Sequence, residues 1–359
     1  MEAHAPFARY ISRLESFMER GTSADLSFAS LARELFALQY QHIPLYADFC
    51  RHRGVVPSDT LDWRDIPALP TGAFRDFEIT SLTPPAQISH FESSGTTTQR
   101  RSRSFHDLAS LKLYEKSVRL GFAPHFPDAA EFRAVSLTPA PKIVPHSSLA
   151  HMMSCLPATR GVTHVGFCAP DGRWLVDVDA AAHTLCDQND PSPRLLLGTA
   201  FGFVQLCDAL AERGVRLTLS PGSCVMETGG YKGQSRELTR TALHSLLAKT
   251  FGLPQRNIVC EYGMCELASQ AYDHAAGVDA PRHFRFPHWA RARIVSPETG
   301  RLADEGEPGL IEVVDLANVR SVLAVQTADV AVRRGEGFEW MGRAEHSEPR
   351  GCSLTASMA

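Results

Sequence analysis

Lysine is scarce in this chain of 359 residues. Lys112, Lys116, Lys142, Lys232 and Lys249 are the full set, so arginine carries most of the positive charge. The formal net charge is −4, which gives no basic field for nucleic acid or an acidic membrane. A pairing rhythm is missing among the nine cysteines. Cys260 and Cys265 are the closest two, and no second pair or nearby histidine motif completes a zinc site. Reduced thiols in a cytoplasm, most of them small core residues, are expected. No apolar run is long enough to span a bilayer. Leu195 to Cys207 comes nearest, and Gly198, Gly202 and Gln205 interrupt it. The first residues lack the basic-then-apolar pattern of a signal peptide. Internal repeats and low-complexity tracts are also missing. What remains is a chain with 44% hydrophobic and 21% charged residues, long enough for a large core and more than one lobe.

Residues 1–90 read as a helical N-terminal cap followed by a crossing segment. Phe7, Ile11, Leu14 and Phe17 keep helical spacing, and Gly21 stops the run. Leu31, Leu35 and Leu38 mark a second helix from about Ser27, broken at Pro44. Pro57, Pro67, Pro70, Pro84 and Pro85 make residues 55–90 turn-rich. Residues 91–287 alternate short apolar strands with helices, which argues a mainly parallel sheet covered by helices. Ala134–Leu137, Val215–Leu219, Cys224–Glu227 and Ile258–Cys260 read as strands, and 236–250 as an amphipathic helix. Residues 288–341 hold short strands between Gly, Pro and Glu turns, a small β-subdomain. Residues 342–359 form a Gly342-Arg343 hinge-like motif and a tail bearing Cys352.

The chemistry-bearing stretch is Ile258-Val-Cys-Glu-Tyr-Gly-Met-Cys-Glu-Leu267. It reads as a strand, a glycine turn and a helix starting near Glu266. Ligands of open α/β sheets sit at the carboxyl ends of strands. Tyr262 supplies a ring to stack on a base, Gly263 room for close approach, and Glu266 an oxygen ligand for Mg²⁺. A plain strand–turn–helix junction gives the same pattern. The Ser93-Ser94-Gly95-Thr96-Thr97-Thr98 loop gathers hydroxyls around a glycine, as a phosphate cradle does. It lacks the Gly-Lys-Ser/Thr of a Walker loop, and a Ser/Thr-rich surface loop is the plain alternative. Thr228-Gly229-Gly230 lets a ligand lie flat on the backbone, or is simply a turn. Thr327-Ala328-Asp329 ends a strand, where the carboxylate can take a ribose diol or cap a turn. Arg350 beside Cys352 favours a thiolate; an inert exposed cysteine is the alternative.

Taken in order, these segments resemble the adenylate-forming superfamily of acyl-CoA synthetases, adenylation domains and firefly luciferase. Within it the chain resembles the acyl-protein synthetase (LuxE) family. The match lies in Phe91-Glu-Ser-Ser-Gly-Thr96, Ser136-Leu-Thr-Pro139 with Pro145-His-Ser-Ser-Leu149, Met226-Glu-Thr-Gly-Gly-Tyr-Lys-Gly233, Glu261-Tyr-Gly-Met264 with Glu266, and Gly342-Arg343 through Arg350-Gly-Cys-Ser-Leu354. The resemblance implies an α/β large domain that turns a fatty acid, ATP and Mg²⁺ into acyl-AMP. A cysteine then takes the acyl group as a thioester and passes it to an acyl-CoA reductase-like subunit. Carried over by position, Ser93, Ser94, Gly95, Thr96 and Thr97 hold phosphates, and Gly229, Gly230 and Tyr262 flank adenine. Glu266 holds Mg²⁺, Asp329 the ribose, and Cys352 accepts the acyl group.

The chain departs from the superfamily at its cations. Gln99-Arg100-Arg101 stands where most members end the phosphate loop with lysine, and no lysine follows Lys249. The mobile C-terminal domain is expected to be absent, as in the LuxE pattern. The cation at the α-phosphate then falls to Lys232, Arg343 or the 100–103 arginines, with Lys232 ranked first. Two rivals remain: a ligase loading CoA or a carrier protein, and a non-catalytic nucleotide-binding subunit.

Overall fold

The computed structural model describes residues 4–21, 26–93, 100–158, 160–186, 190–231 and 235–344. The chain forms two compact units. One comprises Met1–Leu120, Met264–Ser269 and His283–Ala359; the other comprises Gly121–Gly263 and Gln270–Arg282.

The first unit opens with helices α1 (His4–Arg20), α2 (Phe28–His42) and α3 (Pro44–His52). Ser27 caps α2 reciprocally: its Oγ accepts from the Ser30 N–H at 3.1 Å, and its own N–H donates to Ser30 Oγ at 3.0 Å. Pro44 begins α3, where its missing N–H costs nothing. The predicted apolar faces are buried, with Phe7, Leu14, Phe17, Leu31 and Leu35 all at most 1% exposed. Two buried polar groups tie these helices to the distant 316–323 turn. The Tyr10 hydroxyl donates to the Leu316 carbonyl at 3.1 Å, and Gln39 Nε2 donates to the Asn318 carbonyl at 2.7 Å. Strand β1 (Leu69–Pro70) and helix α4 (Gly72–Asp76) follow. A hairpin of β2 (Ser89–Glu92) and β3 (Arg103–His106) then leads to α5 (Leu108–Phe122).

The second unit holds β4 (Arg133–Pro139), α6 (Ser148–Ser154), β5 (Val162–Cys168), β6 (Trp174–Val176), α7 (Val178–Leu185), β7 (Arg194–Gly198), α8 (Ala200–Glu212), β8 (Cys224–Glu227), α9 (Arg240–Phe251), β9 (Ile258–Tyr262) and β10 (Ala271–Tyr272). Its sheet runs in the order β10-β9-β8-β7-β4-β5-β6. The central five strands are parallel, and antiparallel strands close both edges. Leu195, Leu196 and Leu197 are all 0% exposed, as expected for a strand covered on both faces. Side chains alternate across the sheet. Val135, Leu196 and Val225 join one core with α7, α8 and α9, while Ser136 of β4 meets Met153 of α6. Phe203 and Leu206 of α8 belong to that same core.

The chain returns to the first unit with β11 (Ala290–Val295), β12 (Pro308–Asp315), β13 (Ala324–Arg334) and β14 (Gly337–Arg343). These four pair antiparallel, and β1 adds to β13 in parallel.

Three local expectations need correction. Val215–Leu219 is not a strand. Leu217 and Leu219 are buried, but the segment has no ladder partner: the Val215 N–H donates to the Leu210 carbonyl at 2.9 Å and the Leu219 N–H to the Phe251 carbonyl at 3.1 Å. No helix begins near Glu266; residues 264–270 turn irregularly and the chain continues into β10. Asp329 does not end a strand but lies inside the eleven-residue β13. Among the described residues no helix is long and apolar enough to cross a membrane. The eight described cysteines form no disulfide with one another.

Candidate active site

In the second unit β8 and β9 are parallel neighbours, with Glu227 opposite Cys260. Their shared direction brings Thr228-Gly229-Gly230 and Tyr262-Gly263 to the same carboxyl edge of the sheet. Gly229 and Gly230 have φ of 62° and 77°, left-handed values that side chains resist. Their carbonyls accept from the first N–H groups of α8, Ala200 at 2.9 Å and Phe201 at 3.3 Å. The shelf is therefore fixed by main-chain bonds, and its outer side is open: a Cβ at either glycine meets nothing within 4 Å.

Beneath the shelf lie acids absent from the sequence-based candidates. Glu227 is 2% exposed; its Oε2 accepts from the Gly229 N–H at 2.7 Å, and its Oε1 lies 3.1 Å from His244 Nε2. Glu261 on β9 is also buried. Burial, with Glu227 adding repulsion, pushes its carboxyl up to about 8, so it is protonated at neutral pH. A Cβ at Gly263 would stand 2.5 Å from Glu261 Oε1, so glycine is needed there to clear that carboxyl. Each acid ends or nearly ends an apolar run, and that position is the only sequence signal that could have found it.

In the first unit, Glu266 is 5% exposed and its Oε2 accepts from the Cys265 thiol at 3.1 Å. Burial and the adjoining Glu266 charge hold the Cys265 thiol well above its ordinary value. Asn318 Nδ2 donates to the Glu266 carbonyl at 2.9 Å. Asp315, at the end of β12, accepts from the Ala268 N–H at 2.9 Å. Burial raises the Asp315 carboxyl to about 6, and bonds from Ser269, Ala317 and Ala268 oppose that rise. These bonds explain the missing helix after Glu266: the N–H that would enter a helix is captured by a carboxylate from 47 residues away.

Asp329 faces Arg343 across the β13–β14 ladder, with Nε and Oδ1 3.6 Å apart. Arg343 is 81% exposed, so the pair is worth little by itself and its guanidinium can be redirected. Thr327 Oγ1 accepts from the Asp329 N–H at 3.1 Å and donates to the Ile311 carbonyl at 2.9 Å. Ser93 stands at the mouth of the β2–β3 hairpin. Its N–H donates to the Ser102 carbonyl, and its Oγ accepts from the Ser102 N–H, both at 3.0 Å. Ser94, Gly95, Thr96, Thr97, Lys232 and Cys352 lie outside the described residues. Of the arginines by the hairpin, Arg101 pairs with Glu92 at 3.1 Å and Arg103 with Glu78 at 3.2 Å.

Comparison with solved structures places the fold among the adenylate-forming ligases. A 2-hydroxyisobutyryl-CoA ligase in an open conformation with 2-HIB-AMP and CoA superposes with a TM-score of 0.64. That match covers 87% of this chain and 74% of the other at 13% identity. The same ligase in its thioesterification state gives 0.64 over 94% and 68% of the two chains at 12% identity. Residues 175–359, just over half of the chain, match the family described as acyl-protein synthetase, LuxE. The chain belongs to that family and is an enzyme of the ligase class. It is 24% identical over 345 residues to the long-chain-fatty-acid–luciferin-component ligase of Aliivibrio fischeri, covering 90% of this chain and 86% of that one. The Vibrio harveyi protein of the same name is 24% identical over 350 residues, covering 92% and 87%.

Proposed function

We propose that this ligase activates a fatty carboxylate with ATP and Mg²⁺ and transfers the acyl group through Cys352 to a protein acceptor in the cytoplasm. In the first step a carboxylate oxygen attacks the α-phosphorus of ATP. The bond to the bridging oxygen breaks, and pyrophosphate leaves with its electron pair. In the second step the Cys352 thiolate attacks the acyl carbonyl, AMP departs, and the thiol proton has gone to solvent beforehand. The observation that carries this reading is the open glycine shelf beside Tyr262-Gly263 at the carboxyl edge of a parallel sheet, in a chain of the LuxE family.

Each residue has a physical task. Gly229 and Gly230 expose backbone on which a flat base can lie, and Tyr262 offers a ring to stack against it. Asp329 accepts from a ribose diol. Glu266 offers the hard carboxylate oxygens that Mg²⁺ selects: Oε2 accepts from the Cys265 thiol at 3.1 Å, and no described residue donates to Oε1. When bound, the ion neutralises charge on the phosphate oxygens. Ser93 anchors the loop in which Ser94, Gly95, Thr96 and Thr97 hold phosphates, and Lys232 supplies the cation at the α-phosphorus.

The choice of Cys352 has support from the buried thiols. Burial pushes Cys50 and Cys224 up to about 12 and Cys207 to about 11, and holds Cys260 well above its ordinary value. Such thiols are protonated at neutral pH and are poor nucleophiles. The family match, by contrast, runs through the tail to residue 359. The receiving protein is proposed to be an acyl-CoA reductase-like subunit.

ATP–pyrophosphate exchange across a panel of acids tests the first step. Fatty acids should support exchange, and Lys232→Ala should lower its rate at least about tenfold through loss of a fixed charge. Exchange with no acid in the panel would overturn the proposed activity; full exchange by the variant would remove Lys232 from its role.

A further inference from the structure

Residues 264–269 carry Glu266 through a turn with neither helix nor strand to hold it, yet Glu266, Leu267, Ala268 and Ser269 are all at most 5% exposed. Asp315 is the residue that fixes this turn. It is 0% exposed and takes part in no ion pair among the described residues. Its Oδ2 accepts from the Ala268 N–H at 2.9 Å; its Oδ1 accepts from Ser269 Oγ at 2.8 Å and from the Ala317 N–H at 2.9 Å. Ser269 Oγ also meets Ser117 Oγ and Trp289 Nε1, each at 3.1 Å. From the other side Asn318 holds the Glu266 carbonyl, and Gln39 holds the Asn318 carbonyl.

A buried carboxylate without a countercharge is costly, and an apolar residue would fill the same space at less cost. Two of the three bonds its carboxylate accepts converge on one short segment, two and three residues from Glu266. We propose that Asp315 is a positioning residue for the divalent-cation site: it locks the 266–269 turn so that the Glu266 carboxylate is preorganised for the metal. This inference rests on Glu266 being the metal ligand. Groups standing behind a metal ligand set its orientation, and their loss typically costs about 10–100-fold in metal affinity. Asn at position 315 keeps the volume but turns one acceptor oxygen into a donor, which faces the N–H and O–H groups already aimed there.

The test is Mn²⁺ binding in the presence of ATP, followed by electron paramagnetic resonance, with thermal melting in parallel. The proteins are wild type, Asp315→Asn, Ser269→Ala and Glu266→Gln. Asp315→Asn should weaken Mn²⁺ binding about tenfold or more. Ser269→Ala removes one donor and should weaken binding in the same direction by a few-fold, so the inference stays testable if Asp315→Asn does not fold. Glu266→Gln should weaken it most. Unchanged Mn²⁺ affinity in Glu266→Gln would sink the metal-ligand reading itself. If Glu266→Gln loses affinity while Asp315→Asn and Ser269→Ala melt earlier but bind Mn²⁺ as wild type does, Asp315 is structural only and the inference is overturned.

Discussion

Glu261 makes folding sensitive to pH. Its folded carboxyl titrates near 8, against an ordinary value of 4.5, because burial and the nearby Glu227 disfavour the charge. The folded state therefore holds a proton that the unfolded chain releases between those values. The stability associated with this group is fully present below about pH 4.5 and is lost as pH rises through about 8. Urea melts at pH 5, 6.5 and 8.5 should show this decline, and Glu261→Gln should flatten it. An equal slope in both proteins would mean that Glu261 is charged when folded. Residues of this kind are hard to find in sequence. Glu266 was legible because it follows an aromatic-glycine pair. Glu227, Glu261 and Asp315 look like ordinary surface acids until folding places them in the interior.

At the scale of elements, the glycine shelf is built by strand direction and by the start of α8. Open space faces Gly230, so a methyl group there clashes with nothing. The cost of Gly230→Ala is left-handed strain, about 1–2 kcal/mol, together with a bump on the surface offered to the base. The variant should remain folded and show a raised KM for ATP in exchange assays, with less effect on the KM for the acid. An unchanged KM for ATP would move the base off this shelf. The Ile258–Cys260 strand was legible because it is a continuous apolar run, as a strand buried on both faces must be, whereas Leu195–Leu197, equally apolar, was read only as the start of a long apolar stretch. The turn after Glu266 was not legible, because its N–H acceptor arrives from Asp315, far along the chain. Val215–Leu219 misled because its alternation is real while its ladder partner is missing. β13 was read too short because Thr327 and Asp329 are polar and look like a strand end, although both are buried and alternate with half-buried Gln326, Ala328 and Val330.

For the whole molecule, no single motif distinguished a nucleotide site from a set of turns; their order along the chain pointed to the adenylate-forming fold and the LuxE family. The fold, the LuxE family match and the relatives from Aliivibrio fischeri and Vibrio harveyi now stand behind that order. They do so although no lysine follows Lys249, and the cation proposed at the α-phosphorus is Lys232. What ties the adenylating half-reaction to the name of the family is the acyl group's next stop. The most direct measurement is the intact mass of the protein after incubation with Mg-ATP and mixed fatty acids, with Cys352→Ser in parallel. Wild type should gain one acyl mass, lost on treatment with hydroxylamine, and Cys352→Ser should gain none. An adduct of the same size on the variant, or label appearing only on added CoA, would contradict transfer through Cys352.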